Sequence, residues 1–161
     1  MKRIKQIGWV AAAVAVSALA MGQAAGVAKN AAEAKAAIDA RQNMFKDIKK
    51  TYEPLGAMLK RQRDLDPALI GTNAAHLQEL AGKISAAYAL DTRQFKDIKT
   101  SARDGIWGSQ ADFKAKADEF AKAAAAAVAA SKGDNKGEIL KSVAGIGKTC
   151  GACHDSYRDE V

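Results

Sequence analysis

The chain has 161 residues, which is room for one domain and little else. Hydrophobic residues make up 48% but aromatic residues only 6%, and alanine supplies much of the apolar total, a composition that favours packed helices over sheets. The formal net charge is +7, but Lys and Arg are interspersed with Asp and Glu at helical spacing, which is typical of a solvated face and does not indicate a nucleic-acid partner.

The first 26 residues have the pattern of a secretory signal peptide. Three basic residues precede the apolar run from Gly8 to Met21. An A-x-A cleavage site ends at Ala20, and a second candidate site, Gly22-Gln23-Ala24, follows it. The run is shorter than the roughly 20 residues that span a membrane; an uncleaved anchor is the alternative. Removal of residues 1–26 lowers the formal net charge from +7 to +4 and predicts an exported, periplasmic domain over residues 27–161, without a membrane association of its own.

Helical periodicity predicts two helices in the first half of the mature chain. The first begins near Ala31, and Pro54 is expected to kink or break it. Asp66 before Pro67 is typical of an N-cap followed by proline at the first helical position, so the second helix should extend to about Tyr88. Its expected inward-facing positions are Leu69, Leu77, Leu80 and Ile84.

A loop of about twenty residues should follow, with a helical turn over Gln94–Ile98. Ser109 and Asp112 resemble a capping box that starts a third helix ending near Ser131, and Asp134 is the expected N-cap of a fourth. The fourth helix has apolar positions in steps of four and three: Ile139, Val143, Ile146, Cys150, Cys153 and Tyr157. The elements predict an all-α, antiparallel up-down-up-down four-helix bundle with both cysteines on a buried stripe.

Cys150-Gly151-Ala152-Cys153-His154 is a C-x-x-C-H motif, the attachment signature of c-type haem. Residues three apart on a helix share one face, so the two thiols can add to the two vinyl groups on one side of a porphyrin. His154 then lies beside the anchored ring, where it can ligate the iron.

Other chemistries of the motif remain alternatives. A thioredoxin-like C-x-x-C requires a βαβ context that this helical pattern lacks. A zinc site needs four ligands, and only the distant His76 would add to the three residues of the motif. A disulfide between Cys150 and Cys153 would be strained at helical spacing and would leave His154 without a role.

The position of the motif close to the C-terminus resembles class II c-type cytochromes, the cytochrome c′ family. The last-helix sequence from Cys150 to Arg158 is similar to the family ending C-x-x-C-H-x-x-Y/F-R. Three further segments resemble the family pattern: Ala40-Arg41-Gln42 with Phe45, Leu55-Gly56-Ala57-Met58, and Ile106-Trp107 with Phe113.

The resemblance implies one covalent haem c with its iron, and it implies roles for five residues besides the cysteines. His154 would be the axial iron ligand, and Arg158 would lie one turn later in the proximal pocket. Arg41 and Gln42 would lie near the haem propionates, where a guanidinium can pair with a carboxylate. Phe45 would occupy the distal position. We accordingly expect a cavity bounded by Phe45, both cysteines and His154.

Phenylalanine cannot ligate iron, so Phe45 predicts a five-coordinate, high-spin haem with an apolar distal side. Such a site would bind nitric oxide and carbon monoxide in preference to dioxygen, which would lack a polar partner. The alternative is a low-spin electron carrier with Met44 as sixth ligand in a shifted register. His76 is expected to face solvent.

We expect no enzymatic activity, because peroxidase chemistry needs a distal acid or base that Phe45 does not offer. The resemblance also implies electron transport as an accompanying role, and a homodimer through the first two helices. The sequence does not identify a redox partner protein.

Overall fold

The computed structural model describes residues 26–160, so the predicted leader lies outside the described residues except for Gly26. The elements in chain order are β1 (Gly26–Val27), α1 (Ala31–Leu59), α2 (Pro67–Ala87), β2 (Leu90–Asp91), α3 (Gly105–Gly108), α4 (Gln110–Ala130) and α5 (Lys136–Tyr157). None of the helices in this range is long and apolar enough to cross a membrane.

The four long helices form the predicted bundle. Helix α1 contacts α2 and α5, and α4 packs on both α2 and α5, so the four elements close around one core. Each helix contributes a stripe of apolar side chains at intervals of three or four residues. The largest fully buried side chains are Ile38, Leu55, Ile70, Leu77, Ile106, Ile139, Val143 and Ile146.

Of the kink or break expected at Pro54, the break is wrong, because α1 continues through the proline to Leu59. Pro54 removes the N–H that would bond to the carbonyl of Lys50, but Lys50 is exposed and water can replace that donor. Leu55 and Met58 are buried beyond the proline, and their burial stabilises the last turns of the helix.

Helix caps follow the sequence signals in one case and depart from them in two. The side chain of Asp66 accepts from the Leu69 N–H at 3.0 Å, as predicted. Helix α5 is capped by Asn135 and not by Asp134. Ser109 makes no side-chain cap, because its N–H closes α3 on the Gly105 carbonyl while its own carbonyl begins α4, which fixes its backbone between two helices.

The stripe of α2 is displaced by one residue at its start. Leu77, Leu80 and Ile84 are buried as expected, but Leu69 is only half-buried and Ile70 takes the inward position. Ile70 lies seven residues, or two turns, before the buried Leu77, and a neighbour one position away points about 100° elsewhere.

The connection between α2 and α4 is more structured than a plain loop. Strand β2 pairs in parallel with β1, with Gly26 opposite Leu90. The helical turn expected over Gln94–Ile98 is wrong: the chain forms two successive tight turns here, closed by bonds from the Phe95 N–H to the Thr92 carbonyl and from the Ile98 N–H to the Phe95 carbonyl. Helix α3 then brings Ile106 into the core, with 1% of its surface exposed.

Candidate haem-attachment site

The C-x-x-C-H motif lies in the last two turns of α5. Ile146 and Tyr157 on either side of it are buried, whereas Cys150, Cys153 and His154 are half-buried. The stripe predicted for the cysteines is therefore present but only partly covered by protein. Cys153 packs against the hydrophobic core, and neither thiol is in a disulfide.

The environment keeps the motif uncharged. Burial raises the pKa of both thiols, and the neighbouring Cys153 adds to the rise at Cys150. Burial lowers the pKa of His154, and the cation of Arg158 lowers it further. A neutral imidazole has a free nitrogen lone pair, so His154 is in the protonation state that a metal ligand requires.

Arg158 is exposed, and its Nη1 lies 3.3 Å from Nδ1 of His154. The two side chains are neighbours because they are four residues apart at the end of α5. The structure therefore brings together the histidine and the arginine that the sequence pairs.

Arg41 is the one buried charged side chain of the described core, with 3% of its surface exposed. Its Nε donates to the Ala87 carbonyl at 2.8 Å, Nη1 to the Thr92 hydroxyl at 3.0 Å and Nη2 to the Leu90 carbonyl at 2.5 Å. Burial lowers the pKa of Arg41, and nearby Tyr88 and Asp91 oppose that shift. These bonds use three of the five N–H donors of the guanidinium.

The next residues of α1 present a mixed surface. Gln42 is exposed, and its Nε2 donates to the Lys99 carbonyl at 3.2 Å. Phe45 is half-buried, with its ring edge-on to Tyr88 at 6.5 Å between centroids. Met44 is also half-buried and packs against the core beside Phe45.

A cluster of aromatic rings, which was not predicted from the sequence, connects Phe45 with α5. Tyr88 is 6.0 Å from Trp107 and 4.9 Å from Phe113, and Phe113 is 5.2 Å from Tyr157, all between ring centroids. The indole N–H of Trp107 donates to the backbone carbonyl of Tyr88 at 3.1 Å. The sequence offers one signal for this cluster. Aromatic residues are few, so each large ring should take a large share of a core built mostly from alanine and aliphatic side chains.

Two cavities among the described residues lie elsewhere than the expected one. One, of about 480 Å³, lies along the connection between Thr92 and Trp107, and the other, of about 290 Å³, lies between Ser85 and Lys114. Neither is lined by Phe45, Cys150, Cys153 or His154. The cavity expected between Phe45, both cysteines and His154 therefore stays a prediction.

The contacts of His76 lie away from the aromatic cluster. Its side chain is 42% exposed, and its Nε2 lies 3.1 Å from a carboxylate oxygen of Asp47 on the outside of α1. The expected solvent-facing position is confirmed.

The donor set fits a covalently held haem. Two thiols one turn apart, a neutral imidazole in the following position and apolar neighbours supply the attachment, the axial ligand and the contact surface that a haem c requires. Within residues 26–160, no three His, Cys, Asp or Glu side chains are placed to hold a metal ion, which does not favour the zinc alternative. Within residues 26–160, the one sheet consists of the two-residue strands β1 and β2. It does not provide the βαβ context that a thioredoxin-like C-x-x-C requires.

Comparison with known proteins leads to the same class, a helical bundle that carries haem. The family model for cytochrome c′ matches residues 36–158. Cytochrome c′ of Cereibacter sphaeroides is 34% identical over 130 residues, which cover 80% of this chain and 86% of that protein. The chain belongs to the cytochrome c′ family, and its cofactor is a covalently bound haem c with iron.

Solved structures agree in fold. Cytochrome c prime from Shewanella frigidimarina is 32% identical, with a TM-score of 0.65 and coverage of 81% of this chain and all of that one. A nitric oxide complex of a cytochrome c prime variant from Alcaligenes xylosoxidans is 25% identical, with a TM-score of 0.66 and coverage of 79% and 97%. The similarity therefore extends over nearly the whole length of both relatives.

Proposed function

We propose that the protein is exported to the periplasm and acts there as a monohaem c-type cytochrome that binds nitric oxide and carbon monoxide, transfers electrons, or does both. Cys150 and Cys153 hold the haem by two thioethers, each formed when a thiol adds across a vinyl group. His154 is the axial ligand. The iron of the bound haem supplies both the coordination position for the gas and the change of oxidation state for electron transfer.

Phe45 is the observation that carries this proposal. It lies one turn after Arg41 on the inner side of α1, half-buried against Tyr88. Its ring has no atom that can ligate iron, so we infer a five-coordinate, high-spin haem. The nitric oxide complex of the Alcaligenes xylosoxidans relative supports gas binding by this fold.

Arg41 and Gln42 hold the propionates in this proposal. Arg41 is fixed by three hydrogen bonds and keeps two N–H donors, so it is preorganised for a carboxylate. Arg158 acts on the proximal side, where its cation next to His154 disfavours protonation of the imidazole.

A low-spin electron carrier is the second candidate, and the placement of Met44 favours it. Met44 is half-buried against the core and adjacent to Phe45, so its thioether is within the same part of α1. Phe45 and Met44 differ by about 100° around the helix, so only one of them can point at the iron.

Optical spectra of the holoprotein distinguish the two candidates. The parent should be high-spin at rest in both oxidation states and should bind carbon monoxide when reduced. Phe45→Met should convert the haem at least partly to low spin and weaken carbon monoxide binding, whereas Phe45→Ala should speed ligand entry. If the parent is low-spin and Met44→Ala makes it high-spin, Met44 is the ligand and the electron-carrier function replaces gas binding.

The remaining parts of the proposal concern partners. We propose a homodimer through α1 and α2 and no enzymatic activity, since Phe45 supplies no acid or base. Sedimentation of the holoprotein and a peroxidase assay test these two points separately.

A further inference from the structure

The end of α5 is held by the segment of chain that precedes α3. An isolated antiparallel bridge joins Ala102 to Arg158, the residue that follows the last residue of α5. Beside this bridge the Arg103 N–H donates to the Tyr157 carbonyl at 3.0 Å. The helix that carries the motif therefore ends against a partner from a distant part of the sequence.

The guanidinium of Arg103 adds to this contact. Its Nη1 donates to the Asp155 carbonyl at 2.7 Å and lies 3.5 Å from the Ser156 carbonyl, and its Nε donates to the Asp159 carboxylate at 2.9 Å. A cation at the C-terminus of a helix also interacts favourably with the helix dipole. Because the side chain is 40% exposed, it can be replaced without opening the core.

The last four carbonyls of α5, which have no partner further along the helix, all lie beside an N–H donor. The His154 carbonyl accepts from the Arg158 N–H at 3.0 Å. The carbonyls of residues 155 and 156 face the guanidinium of Arg103, and the Tyr157 carbonyl accepts from its backbone N–H. Arg103 alone supplies the donors for three of these four carbonyls.

The position of His154 gives this cap a consequence for the site. His154 lies in the last turn of α5, and the ends of helices fray. An axial ligand on a fraying turn would present its imidazole in a range of orientations, and metal ligands are normally held in one orientation by the groups around them. A cap supplied by another segment of the chain removes this freedom.

We propose that Arg103 is a positioning residue for the axial haem ligand: by capping the end of α5, it fixes the backbone of His154 and so the orientation of the imidazole at the iron. The inference rests on the proposed role of His154. Arg103 differs in this from Arg158, whose Nη1 lies 3.3 Å from Nδ1 of the imidazole. Arg158 acts on the ring itself, whereas Arg103 acts through the backbone of the helix.

Arg103→Leu in the oxidised holoprotein tests the inference, because it removes the guanidinium and keeps the backbone bond to Tyr157. The electron paramagnetic resonance lines of the ferric haem should broaden, since a less restrained imidazole gives the iron a range of environments. Amide exchange of Tyr157 and Arg158 should become about fivefold faster, the effect of one lost hydrogen bond. Lys96→Leu is the matched control: it removes a cation that is paired with Asp104, and it should change neither quantity.

Arg103→Lys keeps the cation but lacks the planar fork that reaches the carbonyls and the carboxylate together, so its line widths should lie between those of the parent and Arg103→Leu. Both spin states of ferric haem are paramagnetic, so the comparison decides the inference for either candidate function. Parent-like line widths in Arg103→Leu, with or without faster exchange, would overturn it and leave the proposed function intact. A His154→Ala variant with the spectrum of the parent would overturn both, because His154 would then not be the ligand.

Discussion

The motif on α5 and the Arg41 cluster are two regions of one site, and they are built in opposite ways. The motif is local: Cys150, Cys153 and His154 lie within five residues, and the helix alone sets their spacing. Arg41 instead depends on the chain about fifty residues away, where Ala87, Leu90 and Thr92 receive its donors. The motif can therefore be recognised in the sequence, whereas the Arg41 cluster forms only when the chain folds.

Burial differs in the same sense. The motif is half-buried and its groups are uncharged, so it holds no buried charge that protein contacts must compensate. Arg41 is a buried cation whose desolvation must be offset by hydrogen bonds and by the Tyr88 ring. We therefore expect changes in the motif to act mainly through the cofactor, and changes at Arg41 to act on folding directly.

The largest effect should come from removing both attachment points. A Cys150→Ala, Cys153→Ala variant should contain no covalent haem by intact mass and should melt about 10 °C or more below the holoprotein, because a ligand bound only by the native state stabilises it. Thr149→Ala is the control on the same turn, since it leaves both thiols in place. Equal melting temperatures for the double variant and the parent would show that the haem is not part of the folded core.

The Arg41 region can be broken by removing its charge. Arg41→Met should lower the free energy of unfolding by about 3 kcal/mol, because two carbonyls and one hydroxyl lose their donor at about 1 kcal/mol each. Gln42→Met is the matched control: the neighbour is exposed, makes a single hydrogen bond, and should cost less than about 0.5 kcal/mol. Denaturant unfolding measures both, and similar costs for the two variants would contradict the role given to Arg41.

The same contrast explains which features could be predicted from the sequence. The bundle, the cap at Asp66 and the burial of Ile139, Val143 and Ile146 on α5 follow from periodicity and local chemistry, and they are confirmed, whereas the two cysteines of the same stripe are only half-buried. The continuation of α1 past Pro54 depends on tertiary burial of Leu55 and Met58, which a local rule does not contain. The burial of Arg41 escaped prediction for the same reason, because a lone arginine in a polar stretch carries no sign of distant partners.

The failed capping box adds a specific case. Ser109 and Asp112 have the spacing of a cap, but the Asp112 carboxylate accepts from the Tyr157 hydroxyl at 2.6 Å. That bond joins the first turn of α4 to the end of α5, 45 residues later in the chain. A side chain with two competing partners cannot be assigned from its spacing alone.

Tyr157, which follows the motif on α5, gives a prediction about how the stability of the protein depends on pH. Burial and the bond to Asp112 raise the pKa of Tyr157 to about 12, whereas an unfolded tyrosine has a pKa of about 10. Because the folded state holds the Tyr157 proton more tightly than the unfolded state, the protonated hydroxyl contributes its full stabilisation below pH 10. This stabilisation is lost as the pH rises towards 12. Tyr157→Phe should cost about 1 kcal/mol at pH 7 and should reduce the decline of stability between pH 10 and 12. Parallel stability curves for variant and parent across that interval would contradict the assignment.

The smallest effect should come from a substitution at the contact of α5 with α1. Whether that substitution stabilises or destabilises the protein is the test. A Cβ on Gly147 would lie 2.7 Å from the hydroxyl oxygen of Tyr52, too close for both to stay in place. Gly147→Ala should therefore destabilise the protein by about 1 kcal/mol even though alanine is the better helix former.

Tyr52→Phe removes the oxygen that obstructs the new methyl group. In that background Gly147→Ala should become stabilising by about 0.5–1 kcal/mol, the helix-propensity gain of alanine over glycine. Gly145→Ala is the control, since a Cβ there meets nothing within 4 Å and should stabilise both backgrounds equally. A double-mutant cycle measures the coupling between the two sites. If Gly147→Ala has the same effect with tyrosine and with phenylalanine at position 52, the close approach of Tyr52 to α5 does not exist in solution. The helix before the motif would then be independent of α1 at this point.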